Sequence, residues 1–250
     1  MGDFEGKVIL ITGSSSGIGR STAEILAFRG AKVIVHFNSN AKGAAETVRD
    51  IQANGGECVA IQADVTKREQ VDTLVQQAVS KYGAIDVLIN NAGGGFRQST
   101  FMDMTEELWD ETFALNVKSI LFCSQAVLKH MLPRKNGKII NVSSAAARLG
   151  GAGESVHYAS SKGAVNTLTI GMAKEFIEHG IIVNGVAPGM VDTPFHEKFA
   201  PNMNRLQQLA ATVPIKRAAT AQEIAEVIAF LASDASNYIL REIITVSGGR

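Results

Sequence analysis

The sequence predicts a doubly wound α/β domain, a parallel sheet of about seven strands with helices on both faces. Three observations carry this. Short β-branched runs alternate with helix-patterned runs from end to end, the order that builds a parallel sheet with right-handed crossovers. A glycine-rich stretch, TGSSSGIG (Thr12 to Gly19), stands between the first strand and the first helix. No linker, repeat or low-complexity segment divides the 250 residues, so 1–250 reads as one domain.

In chain order, Lys7 to Thr12 (KVILIT) is a buried strand, continuous in Val, Ile and Leu before glycine. Ile18 to Arg29 is a helix stopped by Gly30. Lys32 to Phe37 is a strand, Lys42 to Ala53 a helix followed by Gly55 and Gly56, and Glu57 to Gln62 a strand. Thr66-x-x-Glu69 reads as a capping box opening a helix to about Tyr82, with Gly83 its stop. Ile85 to Asn90 is a strand, and one long helix covers Glu106 to Met131. Lys138 to Val142 is a strand, Tyr158 to Glu178 a helix ended by His179-Gly180, and Ile181 to Val186 a strand. Thr220-x-x-Glu223 caps a helix to about Ala232, and Ile243 to Val246 is the last strand.

Composition narrows the function. Lys plus Arg (24) balances Asp plus Glu (24), so no basic excess argues for nucleic acid or an anionic membrane. Two cysteines, Cys58 and Cys123, make no disulfide framework. No stretch approaches the roughly 20 apolar residues of a membrane span, and the N-terminus lacks a signal-peptide pattern. A soluble cytoplasmic protein is expected.

Gly13-x-x-x-Gly17-x-Gly19 lies where a strand hands over to a helix. There glycines allow a tight turn and close approach of backbone to ligand. The helix N-terminus offers free N–H groups and a positive dipole end to a diphosphate. Further fragments fall where strands end: Ala63-Asp64-Val65, Asn90-Asn91-Ala92-Gly93, and Pro188-Gly189-x-Val191-x-Thr193. Ligands of open α/β sheets bind beyond those strand ends. Asp64 suits an adenine amino group, although alone it reads as a helix cap sooner than as an adenine contact.

Tyr158 and Lys162 are four apart in HYASSKGAV, on one helix face. A phenol with its ordinary pKa of about 10 is a poor acid or base at neutral pH. A lysine ammonium a few ångströms away is expected to lower it and make Tyr158 a usable general acid/base.

TGSSSGIG, ADV, NNAG, Asn116, the serines of INVSSA, YASSK and PGMVDT occur in the order found in the short-chain dehydrogenases/reductases. The chain resembles that family along essentially its whole length, most closely the subgroup of 3-oxoacyl-carrier-protein reductases and glucose-type dehydrogenases. The resemblance implies a Rossmann-type fold and an NAD(P)(H)-dependent oxidoreductase. It implies Tyr158 as general acid/base and Lys162 as the residue that holds the nicotinamide ribose. Ser144 would orient the carbonyl, and Asn116 would help place a water that relays protons from Lys162. Gly13, Ser15, Ser16, Gly17, Ile18 and Gly19 would line the cofactor groove. Asp64 and Val65 would contact adenine. Asn91, Ala92 and Gly93 would lie on the ribose side, and Pro188, Gly189, Val191 and Thr193 by the nicotinamide amide. None of these positions is read as a metal ligand.

The chain departs from the family's pattern in places. Ser144 lies 14 residues before Tyr158, one more than usual, so the loop Ala145 to His157 absorbs an insertion, with Ser143 the fallback. His157 and Glu154 beside the tyrosine read as loop residues near a site. Leu240-Arg241 stands where the family often has Thr-Gly, in a region that lies at a subunit interface in relatives.

The second strand ends VIVHFNSN. An acid there would bond the ribose 2′-OH and favour NAD; Phe37 stands instead. Asn38 and Ser39 can donate to a 2′-phosphate, more weakly than Arg. The balance leans to NADP(H) over NAD(H). Residues from about 194 to 214, with Phe195, Phe199, Met203 and Leu206, would form a lid, beside Phe96 and Met190. An apolar lid suits a carbonyl or alcohol with a sizeable apolar part; helix packing accounts for the same apolar residues equally well. Helices apolar on more than one face would be buried on two sides, and the resemblance implies a homotetramer or homodimer. The leading reading is a ketone reductase of 3-oxoacyl or related type. The alternatives are an NAD-dependent dehydrogenase of a sugar or cyclic alcohol, and a nucleotide-binding regulator without catalysis.

Overall fold

The computed structural model of the chain describes residues 3–195, 199 and 205–250. Its elements are β1 (Val8–Ile11), α1 (Gly17–Phe28), β2 (Lys32–Phe37), α2 (Ala41–Ala53), β3 (Glu57–Gln62), α3 (Arg68–Tyr82) and β4 (Val87–Asn90). Then come α4 (Glu106–Phe113), α5 (Ser119–Met131), β5 (Gly137–Val142), α6 (Ala146–Leu149), α7 (Val156–Phe176), β6 (Ile181–Pro188), α8 (Arg205–Thr212), α9 (Ala221–Ala232) and β7 (Ile243–Val246).

The seven strands pair in parallel in the order β3-β2-β1-β4-β5-β6-β7. The chain winds outward from β1 to β3, then crosses back to set β4 on the other side of β1. That reversal opens a crevice between the ends of β1 and β4, the place such sheets bind ligands. The middle strands are continuous apolar runs because both faces are covered: β1 (VILI), β4 and β5 are buried at every position. One core lies between the sheet and α1 and α9, with Ile9, Val33, Ile89, Ile224 and Ile228. The other lies between the sheet and α3, α5 and α7, with Leu10, Leu88, Leu74, Val127 and Met172.

Two helix starts test capping chemistry. Thr220 and Glu223 form the expected reciprocal box on α9. Thr66 and Glu69 do not. Lys67 stands at the N-cap of α3 without a side-chain cap, and the Thr66 N–H (2.9 Å) and hydroxyl (2.7 Å) both go to Asp64 Oδ1. An aspartate two residues upstream competes for the same donors with a full charge.

The long helix expected over Glu106 to Met131 is broken. A π-turn over Ala114–Lys118 separates α4 from α5, with Asn116 fully buried within it. α7 begins two residues before Tyr158 and closes through a 3₁₀ turn, Ile177–His179. The loop after β5 folds into α6 and a turn in which Gly150, Gly151 and Gly153 have positive φ. Before the edge strand β7, Arg241 holds φ 65° and donates its N–H to Val183 O at 3.1 Å. Leu240 packs onto the second core. Among the described residues no helix is long and apolar enough to cross a membrane.

Candidate active site

The carboxyl ends of the strands open into one cleft of about 1030 Å³. Its lining joins segments from both halves of the sheet. Gly13, Ser15, Ser16, Gly17 and Ile18 come from the turn after β1, and Asn38 and Ser39 follow β2. Asp64 and Val65 follow β3, and Asn91, Ala92 and Gly93 follow β4. Ser144, Tyr158 and Lys162 line the middle, with Pro188, Gly189, Val191 and Thr193 after β6. Two expected residues stand behind the wall. Gly19 is buried in α1, where a Cβ would collide with Gly13 O and Asn91 Nδ2. It is there so that α1 can approach the turn. Asn116 is the other.

At the nucleotide end, Ser16 caps α1 with extended backbone and no side-chain hydrogen bond, and the first turn holds no acid. Free N–H groups and an unopposed helix dipole fit a diphosphate. Gly17, at φ 54°, holds a conformation that favours glycine. The turn is fixed from behind. Asn91 Nδ2 donates to Thr12 O (2.9 Å) and Gly13 O (3.0 Å), so its amide nitrogen is spent on the turn although the residue lines the cleft. Asn40 Oδ1 accepts from Gly43 N–H at 3.1 Å, and its Nδ2 donates to Ser15 O at 3.2 Å. Asp64 Oδ1 is occupied by Thr66. Asn38 and Ser39 are exposed at the rim. The residues present fit a dinucleotide: a Cβ at Gly93 would stand 2.8 Å from Asn116 Oδ1 and 3.1 Å from Lys162 Nζ, so bare backbone borders the groove there.

At the reactive end, Tyr158 lies in the first turn of α7 with Lys162 one turn on. Lys162 is 3% exposed and donates through Nζ to Val142 O at 2.8 Å, 5.7 Å from the Tyr158 ring centroid. Burial brings its pKa down to about 8. The effect on Tyr158 differs from the sequence expectation. Burial pushes the phenol up to about 12, and the group that pulls it down is the neighbouring Ser144 hydroxyl, not the lysine. The ammonium is turned to a main-chain carbonyl, and desolvation outweighs what remains.

The register of the serine pair follows from partners. Ser143 Oγ is taken up by Asn166 Oδ1 (2.6 Å) and Lys162 O (3.1 Å), so Ser144 is the serine that meets Tyr158. Asn116 Nδ2 donates to Gly94 O (2.8 Å) and Ser161 Oγ (2.9 Å), and its Oδ1 accepts from Gly94 N–H (2.9 Å). His157 is buried and donates through Nε2 to Gly95 O at 3.0 Å. It holds the loop after β4 and does not line the cleft; Glu154 does.

Over Tyr158 lies an aromatic wall. Phe195 sits 5.6 Å from the Tyr158 ring at 44°, and Phe199 stacks on Phe195 at 5.5 Å and 13°. Phe96, Met190 and Leu209 also line the cleft. Leu206 is half-buried outside the lining, and Met203 lies outside the described residues. His36 and Asn40 also line the cleft and were not read from the sequence. The signal for His36 was a polar residue on a strand otherwise buried on that face.

The sequence profile of the short chain dehydrogenases matches residues 7–204. A 3-oxoacyl-acyl-carrier-protein reductase of Synechocystis sp. is 38% identical over 244 residues, 97% of this chain and 96% of that protein. That of Thermotoga maritima is 39% identical over 246 residues, 98% of each. Among solved structures, levodione reductase superposes with a TM-score of 0.92 at 31% identity, covering 98% of both chains. A short-chain dehydrogenase/reductase of Serratia marcescens, solved as a double mutant, gives 0.91 at 32% identity over 99% of this chain and 98% of that one.

Proposed function

From a chain that belongs to the short-chain dehydrogenase/reductase family, and is therefore a nicotinamide-dependent oxidoreductase of CH–OH groups, we propose a ketone reductase that prefers NADP(H) and acts on a 3-oxoacyl thioester or a comparably apolar ketone. The observation that carries this is the meeting of the Ser144 and Tyr158 hydroxyls in a cleft whose other end is the glycine turn.

The nicotinamide, when bound, supplies the hydride. The protein's part is placement and electrostatics. As the carbonyl oxygen gains negative charge, Ser144 and Tyr158 donate to it, and these bonds strengthen toward the transition state. Tyr158 gives up its proton to the new alkoxide. Its raised pKa suits a donor that stays protonated until that charge appears. Lys162, near 8, lies where it can hold the ribose and restore the proton. Asn116 serves from behind the wall, holding Gly94 and Ser161. Phe195 and Phe199 form an apolar lid over the reacting oxygen. Asn38 and Ser39, neutral donors without an acid beside them, support NADP(H).

Exposed apolar residues on α5 (Leu121), on α7 (Ile170) and in the 3₁₀ turn that closes it (Ile177) support a homotetramer or homodimer. The free thiols Cys58 and Cys123 support a cytoplasmic location. Titration of the intrinsic fluorescence with NADPH and NADH, followed by turnover of an acetoacetyl thioester, tests the reading. NADPH should bind more tightly. Tighter NADH would sink the cofactor preference and move the search to cyclic alcohols.

A further inference from the structure

His36 is a buried histidine in an apolar strand, 2% exposed between Val35 and Phe37. Both of its ring nitrogens are engaged. Nδ1 accepts from the N–H of Gly13, the first glycine of the turn, at 2.9 Å. Nε2 donates to Ala63 O at 2.9 Å, one residue before Asp64 and Val65. Its main chain is tied to the same turn: Ser14 N–H donates to His36 O (2.9 Å), and His36 N–H donates to Ser14 Oγ (3.0 Å). The ring therefore spans the two walls of the nucleotide end of the cleft.

This bridge needs one protonation state. A neutral imidazole has one donor and one acceptor, and both are used. A second proton would set an N–H at Nδ1 against the N–H of Gly13. Burial holds the His36 pKa below its ordinary value, against the opposing pull of the Ala63 carbonyl and of Asp64. Asp64 is the charged group that faces it. β1, the Thr12–Gly17 turn, the Asn91–Gly93 segment and the buried face of α3 (Val71, Leu74, Val75) present neutral side chains.

We propose that His36 is a positioning residue for the nucleotide: as the neutral Nε2–H tautomer it holds the glycine turn against the adenine wall, and taking up one proton at Nδ1 releases the turn and with it the cofactor. The inference rests on reading the cleft as a dinucleotide site. Because the neutral form binds, affinity is full above the His36 pKa and falls as pH drops through it, by about tenfold per pH unit once protonation dominates.

The test is calorimetric titration of the whole protein with NAD⁺ and with NADP⁺ from pH 8 to 5, alongside His36→Asn. NAD⁺ is included because a 2′-phosphate titrates in the same range. Asn keeps an acceptor near Gly13 and does not titrate. The wild type should weaken toward acid for both nucleotides and take up a proton on release, whereas His36→Asn should bind NAD⁺ with a flat profile. The same pH dependence in both proteins overturns the proposal while leaving the cofactor site intact. Binding to neither at any pH overturns the cofactor site as well. Should His36→Asn fail to fold, nitrogen NMR of the wild-type imidazole across the same pH range decides: protonation at Nδ1 that tracks the loss of NAD⁺ affinity supports the proposal, and affinity lost while the ring stays the neutral Nε2–H tautomer overturns it.

Discussion

Asn116 Nδ2 lies 2.9 Å from Ser161 Oγ, and that hydroxyl in turn donates to Tyr158 O at 2.7 Å. A π-turn on one helix is thereby tied to the main chain of the tyrosine on another. π-turns are rare and gather at functional sites; this one turns a carboxamide into the protein behind the reacting residues. Asn116→Ala leaves the Gly94 N–H and C=O without their partner. The expected loss is about 1–3 kcal/mol of stability and, through a shifted Tyr158, about 10²-fold in kcat. Denaturant melts and steady-state rates measure the two separately. Unchanged kcat would show that the tie is structural alone.

Tyr158→Phe removes the proton donor and keeps the ring that packs on Phe195. Turnover should fall by about 10²–10⁴-fold, with NADPH affinity within a few-fold of wild type. Ser144→Ala should give a smaller loss of the same kind, in kcat more than in KM. Retained turnover in the phenylalanine variant would sink the proposed chemistry.

Lys162 sets a pH dependence whose sign is fixed. The unfolded chain keeps its proton up to about 10.5, the folded protein up to about 8. Below 8 both forms are protonated, and the full cost of burying the ammonium is present. Between those values the unfolded state binds more protons, so this cost is relieved as pH rises. The drop from 10.5 to about 8 corresponds to about 3 kcal/mol. Lys162→Met should therefore melt higher than wild type at pH 7, with the gap closing toward pH 10. A gap that widens would contradict a buried cationic lysine.

Arg241 adopts a left-handed backbone that costs a residue with a Cβ about 1 kcal/mol. Arg241→Gly should raise the melting temperature by about 2–4 °C and leave kcat unchanged, since the residue stands at the approach to β7 and is not part of the cleft lining. Differential scanning calorimetry reads this directly.

Ser39→Asp places an acid at the rim beyond β2. It should repel a 2′-phosphate and accept from a 2′-hydroxyl. NADPH should weaken by at least about tenfold, or about 1.4 kcal/mol, while NADH tightens. Equal effects on both would place the 2′ position elsewhere.

The strands, the glycine turn and the Tyr158–Lys162 face were legible because each follows from local periodicity and spacing. The apolar run Val8–Ile11 has one buried solution, and residues four apart on a helix share a face. What escaped the sequence depends on partners far along the chain. The π-turn at Asn116 sits in a pattern that reads as continuous helix. Thr66 lost its capping role to Asp64, a choice between two plausible acceptors that spacing does not rank. The Tyr158 phenol is governed by burial, which the lysine four residues away does not reveal. His36 looks like one polar residue in a strand until Gly13 and Ala63 are seen on either side of it.

The bonds from Asn91 and Ala92 to Thr12 join residues 79 and 80 apart in the chain. They form only after β4 has docked beside β1, across the two strands added on the other flank. A refolding chain therefore has no nucleotide groove until its central long-range pairing is complete, and such pairings are the slow ones. Cofactor can act only on molecules that have passed that point. It raises equilibrium stability by mass action and slows unfolding, and it leaves the rate of reaching the native topology unchanged.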